Sequence, residues 1–148
     1  MNEMAWWIKG IVILILGALG VLLYFSAAAF FNVWIVPFMQ ELAPEQAHRS
    51  IGPVLVLISF VAALIAAFFS VFLYEMIGGG RPLLMGVLFA LPMILIQVYV
   101  LTGARLELAM LSIHLVEMVG IVAAYLLIAF FGRWVHRRFF ATGPKRDD

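Results

Sequence analysis

The sequence contains no cysteine. That absence removes disulfide frameworks, thiolate metal centres, cysteine nucleophiles and c-type haem attachment, and with them any reading of the redox compartment. Charge is nearly as scarce: Asp, Glu, Lys and Arg make up 11% of the chain, against about 25% in an ordinary soluble domain. The formal net charge is only +1, so no field over the whole molecule attracts a nucleic acid or another polyanion. The glycine run Gly78-Gly79-Gly80 lacks the G-x-x-x-x-G-K-[ST] pattern that cradles phosphate, and no serine has a histidine and a carboxylate placed beside it. No motif marks an enzyme, and the glycine run is expected to be a turn.

Apolar residues fill the space that charge leaves. They are 66% of the 148 residues, and the mean hydropathy is +1.15, which together define an integral membrane protein. A spanning helix needs about 20 mostly apolar residues. Four stretches qualify, approximately 8–36, 52–75, 82–101 and 107–132, followed by a basic tail over 133–148. Short connectors make sequence neighbours antiparallel, so the expected fold is all-α: one membrane domain, a four-transmembrane-helix up-down bundle.

Lys9 followed by a long apolar run and the cluster Ser26-Ala27-Ala28-Ala29 loosely imitates a cleaved signal peptide. The apolar run continues through Phe30, Phe31, Val33, Trp34 and Ile35, which makes it a retained first span. Trp6, Trp7, Trp34 and Trp134 fall near span ends, at the headgroup levels. An even number of spans puts both termini on one side together with Lys9, Arg81, Arg133, Arg137, Arg138, Lys145 and Arg146, whereas Arg49 and Arg105 fall on the other. Basic residues are retained inside, so both termini are expected in the cytoplasm and the protein in the inner (plasma) membrane. Arg133, Arg137 and Arg138 are expected to contact anionic lipid headgroups, with His136 solvated among them.

Helices in lipid associate through small residues that allow close approach. Ser59, Ala63, Ala66, Ala67 and Ser70 form such a stripe on the second span, Gly17 and Gly20 on the first, and Gly86 with Ala90 on the third. Pro37, Pro44 and Pro53 punctuate the first connector, where Pro44 can begin a helical turn. Pro92, mid-way along the third span, removes a backbone donor and is a candidate hinge.

The stretch "MLSIHLVEMVG", residues 110–120, carries the main functional signal. It sets His114 and Glu117 three residues apart, hence on one helix face, with Ile113, Gly120, Ile121, Ala124 and Tyr125, while Leu115, Val119, Val122 and Leu126 face the other way. Glu117 falls within about 5 Å of the bilayer midplane. Gln97 on the third span reaches a depth close to that of His114, so the expected cluster is Glu117, His114 and Gln97. Ser26 and Tyr99 fall in the same outer half, and Asn32 nearer the interface. An ionised carboxylate at that depth costs at least about 2.5–3.5 kcal/mol. Glu117 can meet that cost by taking up a proton, by pairing with a protonated His114, or by sitting against water or a cation. The first two are the ends of one proton transfer. Glu75 is expected to be an interfacial partner of Arg81 or Arg133, and Arg105 with Glu107 an outer-surface pair.

Di-iron bundles repeat Glu-x-x-His on two helices and add two further carboxylates. Here one reversed His-x-x-Glu stands without a second copy, so no metal and no cofactor is expected. The layout is similar to that of the small multidrug-resistance transporters, which have four short spans and a membrane-embedded glutamate, though theirs lies on the first helix and this one on the fourth. The likeness implies a proton-linked carrier and transfers no residue roles. The expected function is therefore a proton- or cation-linked transporter or channel working as an oligomer. The alternatives are a non-catalytic subunit or assembly partner of a larger membrane complex, and a membrane-embedded oxidoreductase or metal protein. The expected partners are the lipid bilayer and either further copies of the chain or other membrane subunits.

Overall fold

A computed structural model describes residues 6–42, 44–77, 81–103 and 108–140, with side chains over 6–41, 51–77, 81–102 and 111–140. The elements are α1 (Trp6–Leu42), α2 (Pro44–Ala67), a π-helical turn (Phe68–Phe72) running into a last α-turn (Leu73–Met76), α3 (Pro82–Gly103) and α4 (Leu108–Phe139). Four of the helices are long and apolar enough to cross a membrane. The protein is an all-α bundle of four apolar helices, consistent with embedding in a bilayer as a multi-pass membrane protein. The Gly78–Gly80 turn, Arg105, Glu107, Lys145 and Arg146 lie outside the described residues, as do the side chains of His48 and Arg49.

Specific contacts fix the topology. Gly52 meets Ile113, Ser59 meets Glu117, and Glu75 meets Gly132, so α2 and α4 run parallel. Gly86 against Leu126 makes α3 antiparallel to α4. Phe31, Ile35 and Met39 share a cavity with Val54, Ile58 and Val61, which makes α1 antiparallel to α2. The start of α1 and the end of α4 consequently share one end of the bundle.

Three boundaries differ from expectation: α4 runs to Phe139 rather than ending near 132, so the first part of the expected basic tail is helical, and the other two lie at the first connector. The segment expected as a connector over 37–51 is mostly helical: α1 passes through Pro37 to Leu42, and α2 starts at Pro44 rather than near 52. The cause is composition, since Met, Gln, Glu, Leu and Ala are good helix formers. Pro44 sits where a helix has no use for its N–H. At 37 residues, α1 is about 55 Å long, more than a bilayer with its headgroups, so it tilts or projects beyond it.

The core follows the small-residue stripe. Ala62, Ala63, Ala66 and Ala67 of α2 are fully buried against Ile121, Ala124, Tyr125 and Ala129 of α4, with Ala90 and Met93 of α3 closing the third side. Leu115 and Val119 face outward, as their positions on the helix require. Gly20 and Gly86 lie in tight helix contacts, whereas a Cβ on Gly17 would meet nothing within 4 Å. Gly17 instead lines an open groove of about 430 Å³ between α1 and α3, shared with Val21, Leu88, Pro92 and Leu95.

The π-turn was not expected. It contains Ser70, whose hydroxyl donates to the Ala66 carbonyl at 2.6 Å. A wider turn disturbs the regular backbone ladder, and the Ser70 hydroxyl supplies a local donor at that point.

Candidate functional site

Glu117 lies on the buried face of α4 and is 7% exposed. Both of its oxygens are held. His114 Nδ1 stands 2.8 Å from Oε2, and Ser59 Oγ on α2 donates to Oε1 at 2.9 Å. The pair follows from i,i+3 spacing on one helix. The second contact follows from the parallel register of α2 and α4, which brings the first polar member of the α2 stripe level with Glu117. The His114 side chain is 30% exposed, so the pair has an inner, fully packed partner in Glu117 and an outer partner at the bundle surface.

With Glu117 ionised, Nδ1 carries the proton and the ring donates to Oε2. When Nε2 is protonated as well, moving the proton from Nδ1 to Oε2 converts an ion pair into a neutral acid and a neutral imidazole with no change in total charge. The pair can therefore pass a proton between its two members at constant net charge, whereas giving that proton up leaves one negative charge on the site.

Gln97 does not reach the pair directly. Its Nε2 donates to the Tyr24 hydroxyl at 3.3 Å, and that hydroxyl also stands against Ser59. Gln97 thus joins Glu117 through Tyr24 and Ser59, and the cluster draws on all four helices. Tyr24 and Ser59 were not expected in it. The sequence places Ser59 in the packing stripe of α2, where a hydroxyl among small residues can serve both packing and hydrogen bonding. Tyr24 was the one phenol in the middle of the first apolar run. Of the other outer-half residues, Ser26 is exposed and Tyr99 is 78% exposed, so neither joins the cluster.

Pro92 is half-buried inside a helix that continues on both sides of it, facing the α1/α3 groove. At the other end of the bundle, Arg137 and Arg138 are exposed, with Arg138 lying 5.7 Å over the Trp134 ring. Arg133 is half-buried and acts electrostatically on Glu75. His136, expected to be solvated, is half-buried with Nδ1 3.2 Å from the Met76 carbonyl and its ring stacked on Phe140.

Among the described residues no three His, Cys, Asp or Glu side chains gather as a metal site would require. Comparison with known proteins finds no matching family model, no matching curated protein and no matching solved structure. The site's own geometry is therefore what bears on function.

Proposed function

We propose that the protein is a proton- or cation-linked transporter or channel of the inner membrane, working as an oligomer around the Glu117/His114 pair. The observation that carries this reading is a carboxylate buried within the bundle with a titratable partner 2.8 Å away that is itself part-exposed. Intramembrane acids are costly and are functional candidates by default, and this one has a route for its proton toward the surface. Four helices packed closely on alanines enclose little space, so a translocation path forms more readily between subunits than through one. Pro92 serves as the hinge beside the α1/α3 groove. Arg133, Arg137 and Arg138 anchor the terminus-bearing end at anionic headgroups, with both termini cytoplasmic.

A second reading, a subunit of a larger membrane complex, draws support from α1. It is the least buried span, and Gly10 and Gly17 meet nothing within 4 Å, as suits a helix awaiting a neighbour.

The test combines flux with infrared difference spectroscopy in lipid, comparing the natural protein with Glu117→Gln. The transport reading expects a carboxyl band that changes with pH, disappears in the variant, and accompanies a flux that the variant loses. Equal flux in both would sink it. A Glu117 fixed in one protonation state, with a stoichiometric partner retained on extraction, would favour the subunit reading.

A further inference from the structure

The buried polar and charged side chains among the described residues are Ser59, Ser70, Glu75 and Glu117. All four lie along the facing sides of the parallel pair α2 and α4, and two buried phenols, Tyr24 and Tyr125, stand beside the serines. From Glu117 the line runs to Ser59 at 2.9 Å and on to the Tyr24 hydroxyl. One turn back along α1 from Tyr24, Gly20 holds the next two groups: a Cβ there would lie 3.1 Å from Ser70 Oγ and 3.2 Å from the Tyr125 hydroxyl oxygen. Beyond Ser70, Glu75 is completely buried, with its Cβ against Gly132.

Several of these groups are not settled by the packing. Both oxygens of Glu75 have no hydrogen-bond partner within the described residues, and the Tyr125 hydroxyl has only the adjacent Ser70 hydroxyl, whose own proton goes to the Ala66 carbonyl. Buried polar atoms in that condition are few in any folded protein, and internal water is the usual partner. A purely adhesive polar contact between helices would be expected to satisfy itself. Here Glu117, Ser59 and Ser70 each make a hydrogen bond, whereas Glu75, nearest the terminus-bearing end, makes none among the described residues; Gln97 Oε1 and Asn32 Oδ1, off this line, are unpartnered as well.

The geometry points to a proton path from the Glu117/His114 pair to Glu75, through Ser59, Tyr24, Tyr125 and Ser70, with water at the unpartnered oxygens. It rests on the function proposed for Glu117 and adds a second carboxyl station. About 24 Å of helix rise separates Ser59 from Glu75, more than these side chains span by direct contact, so water carries the intermediate steps. Together with His114, which is part-exposed beyond Glu117, the path runs from the outer half of the bundle to its terminus-bearing end.

The transfer balances simply. A proton on His114 Nδ1 passes to Glu117, forming O–H as N–H breaks. Each hydroxyl or water then accepts one proton and releases its own to the next oxygen. The Glu75 carboxylate takes the last and releases it to water at the bundle end, so one proton enters, one leaves and nothing is oxidised. As observed, Ser59 donates to Glu117, and conduction away from Glu117 requires that hydroxyl to turn over once per proton. The groups facing the first acid are His114, Ser59 and Tyr24. Those near the second are Tyr74, Arg133 and His136, the last held on the Met76 carbonyl.

The full-length protein in phosphatidylethanolamine–phosphatidylglycerol vesicles with a trapped pH-sensitive dye, driven by a potassium–valinomycin potential, tests this directly. Tyr125→Phe, which keeps the ring in the core, and Glu75→Gln should each slow proton entry by at least about tenfold, while the Glu117 carboxyl band still responds to pH. Natural rates in both variants, with flux lost in Glu117→Gln, would overturn the path and leave the Glu117 function standing. Flux no greater than that of empty vesicles for the natural protein would sink both. If Glu75→Gln fails to fold, Tyr125→Phe and Ser70→Ala decide the outcome by the same measurement.

Discussion

Glu117 and Glu75 are both buried acids, but the bundle treats them in opposite ways. Glu117 has a donor on each oxygen, from its own helix and from α2. Glu75 is the more deeply buried and has no hydrogen bond to either oxygen among the described residues, with the charge of Arg133 acting on it and Tyr74 beside it. Depth along the span does not explain the difference. Glu117 lies well inside the bundle, whereas Glu75 sits in the last turn of its helix, where water or headgroups would ordinarily reach it. Glu75 is rooted where the α4 backbone comes close at Gly132, whereas Glu117 is satisfied by side-chain register. A side chain can be buried by what its neighbours lack as readily as by what they offer.

The largest effect should come from exchanging the two roles. Glu117→Gln keeps the shape and much of the hydrogen bonding but cannot give up a proton, and proton flux into vesicles should fall by about a hundredfold or more. Glu75→Gln should act in the same direction and more weakly, since water can continue the path near the bundle end. A larger loss from Glu75→Gln than from Glu117→Gln would invert the comparison and make the terminus-bearing end the primary site.

Packing around the two acids offers the next test. A Cβ on Gly132 would come within 3.1 Å of both Glu75 Cβ and the Phe72 ring, and within 3.4 Å of the Phe72 backbone. Near Glu117 a Cβ on Gly120 meets only the Phe60 ring, at 3.7 Å. Gly132→Leu should therefore cost about 1–3 kcal/mol through overpacking and admit water to Glu75. Gly120→Ala should be near neutral. Reversible unfolding in mild detergent measures the first effect, and hydrogen–deuterium exchange of the Glu75 carboxyl measures the second. Equal costs at the two glycines would remove the idea that helix approach is what seals Glu75.

How much of this was readable beforehand depends on which residues carried it. The four spans follow from unbroken apolar length, and the Glu117/His114 contact follows from their spacing on one helix. The partners on other helices do not. Whether Ser59 or Gln97 meets Glu117 turns on the registers of α2 and of α3 against α4, which a sequence of small residues permits at several offsets. Gln97 shares the depth but is reached only through Tyr24. Glu75 has the sequence position of an interfacial residue, and only the backbone approach at Gly132 reveals that it is sealed. The π-turn at Phe68–Phe72 leaves no pattern in the apolar run that contains it.

The smallest effect should separate the two serines of the α2 stripe. Ser59 donates to a carboxylate on another helix, and Ser70 donates to the Ala66 carbonyl of its own helix. Hydrogen bonds to charged groups contribute about 1.5–3 kcal/mol, but membrane helices measured by double-mutant cycles average nearer 0.6 kcal/mol because the separated helices find other partners. Ser59→Ala should accordingly cost about 1 kcal/mol, and Ser70→Ala less. The sharper quantity is the coupling between Ser59→Ala and Glu117→Leu, because the cycle cancels each residue's separate packing loss. A coupling of about 0.5–1 kcal/mol would show that Glu117 is held across the helix interface. A coupling near zero would leave His114 as its sole effective partner, and the contrast with Glu75 would narrow to a single hydrogen bond within α4.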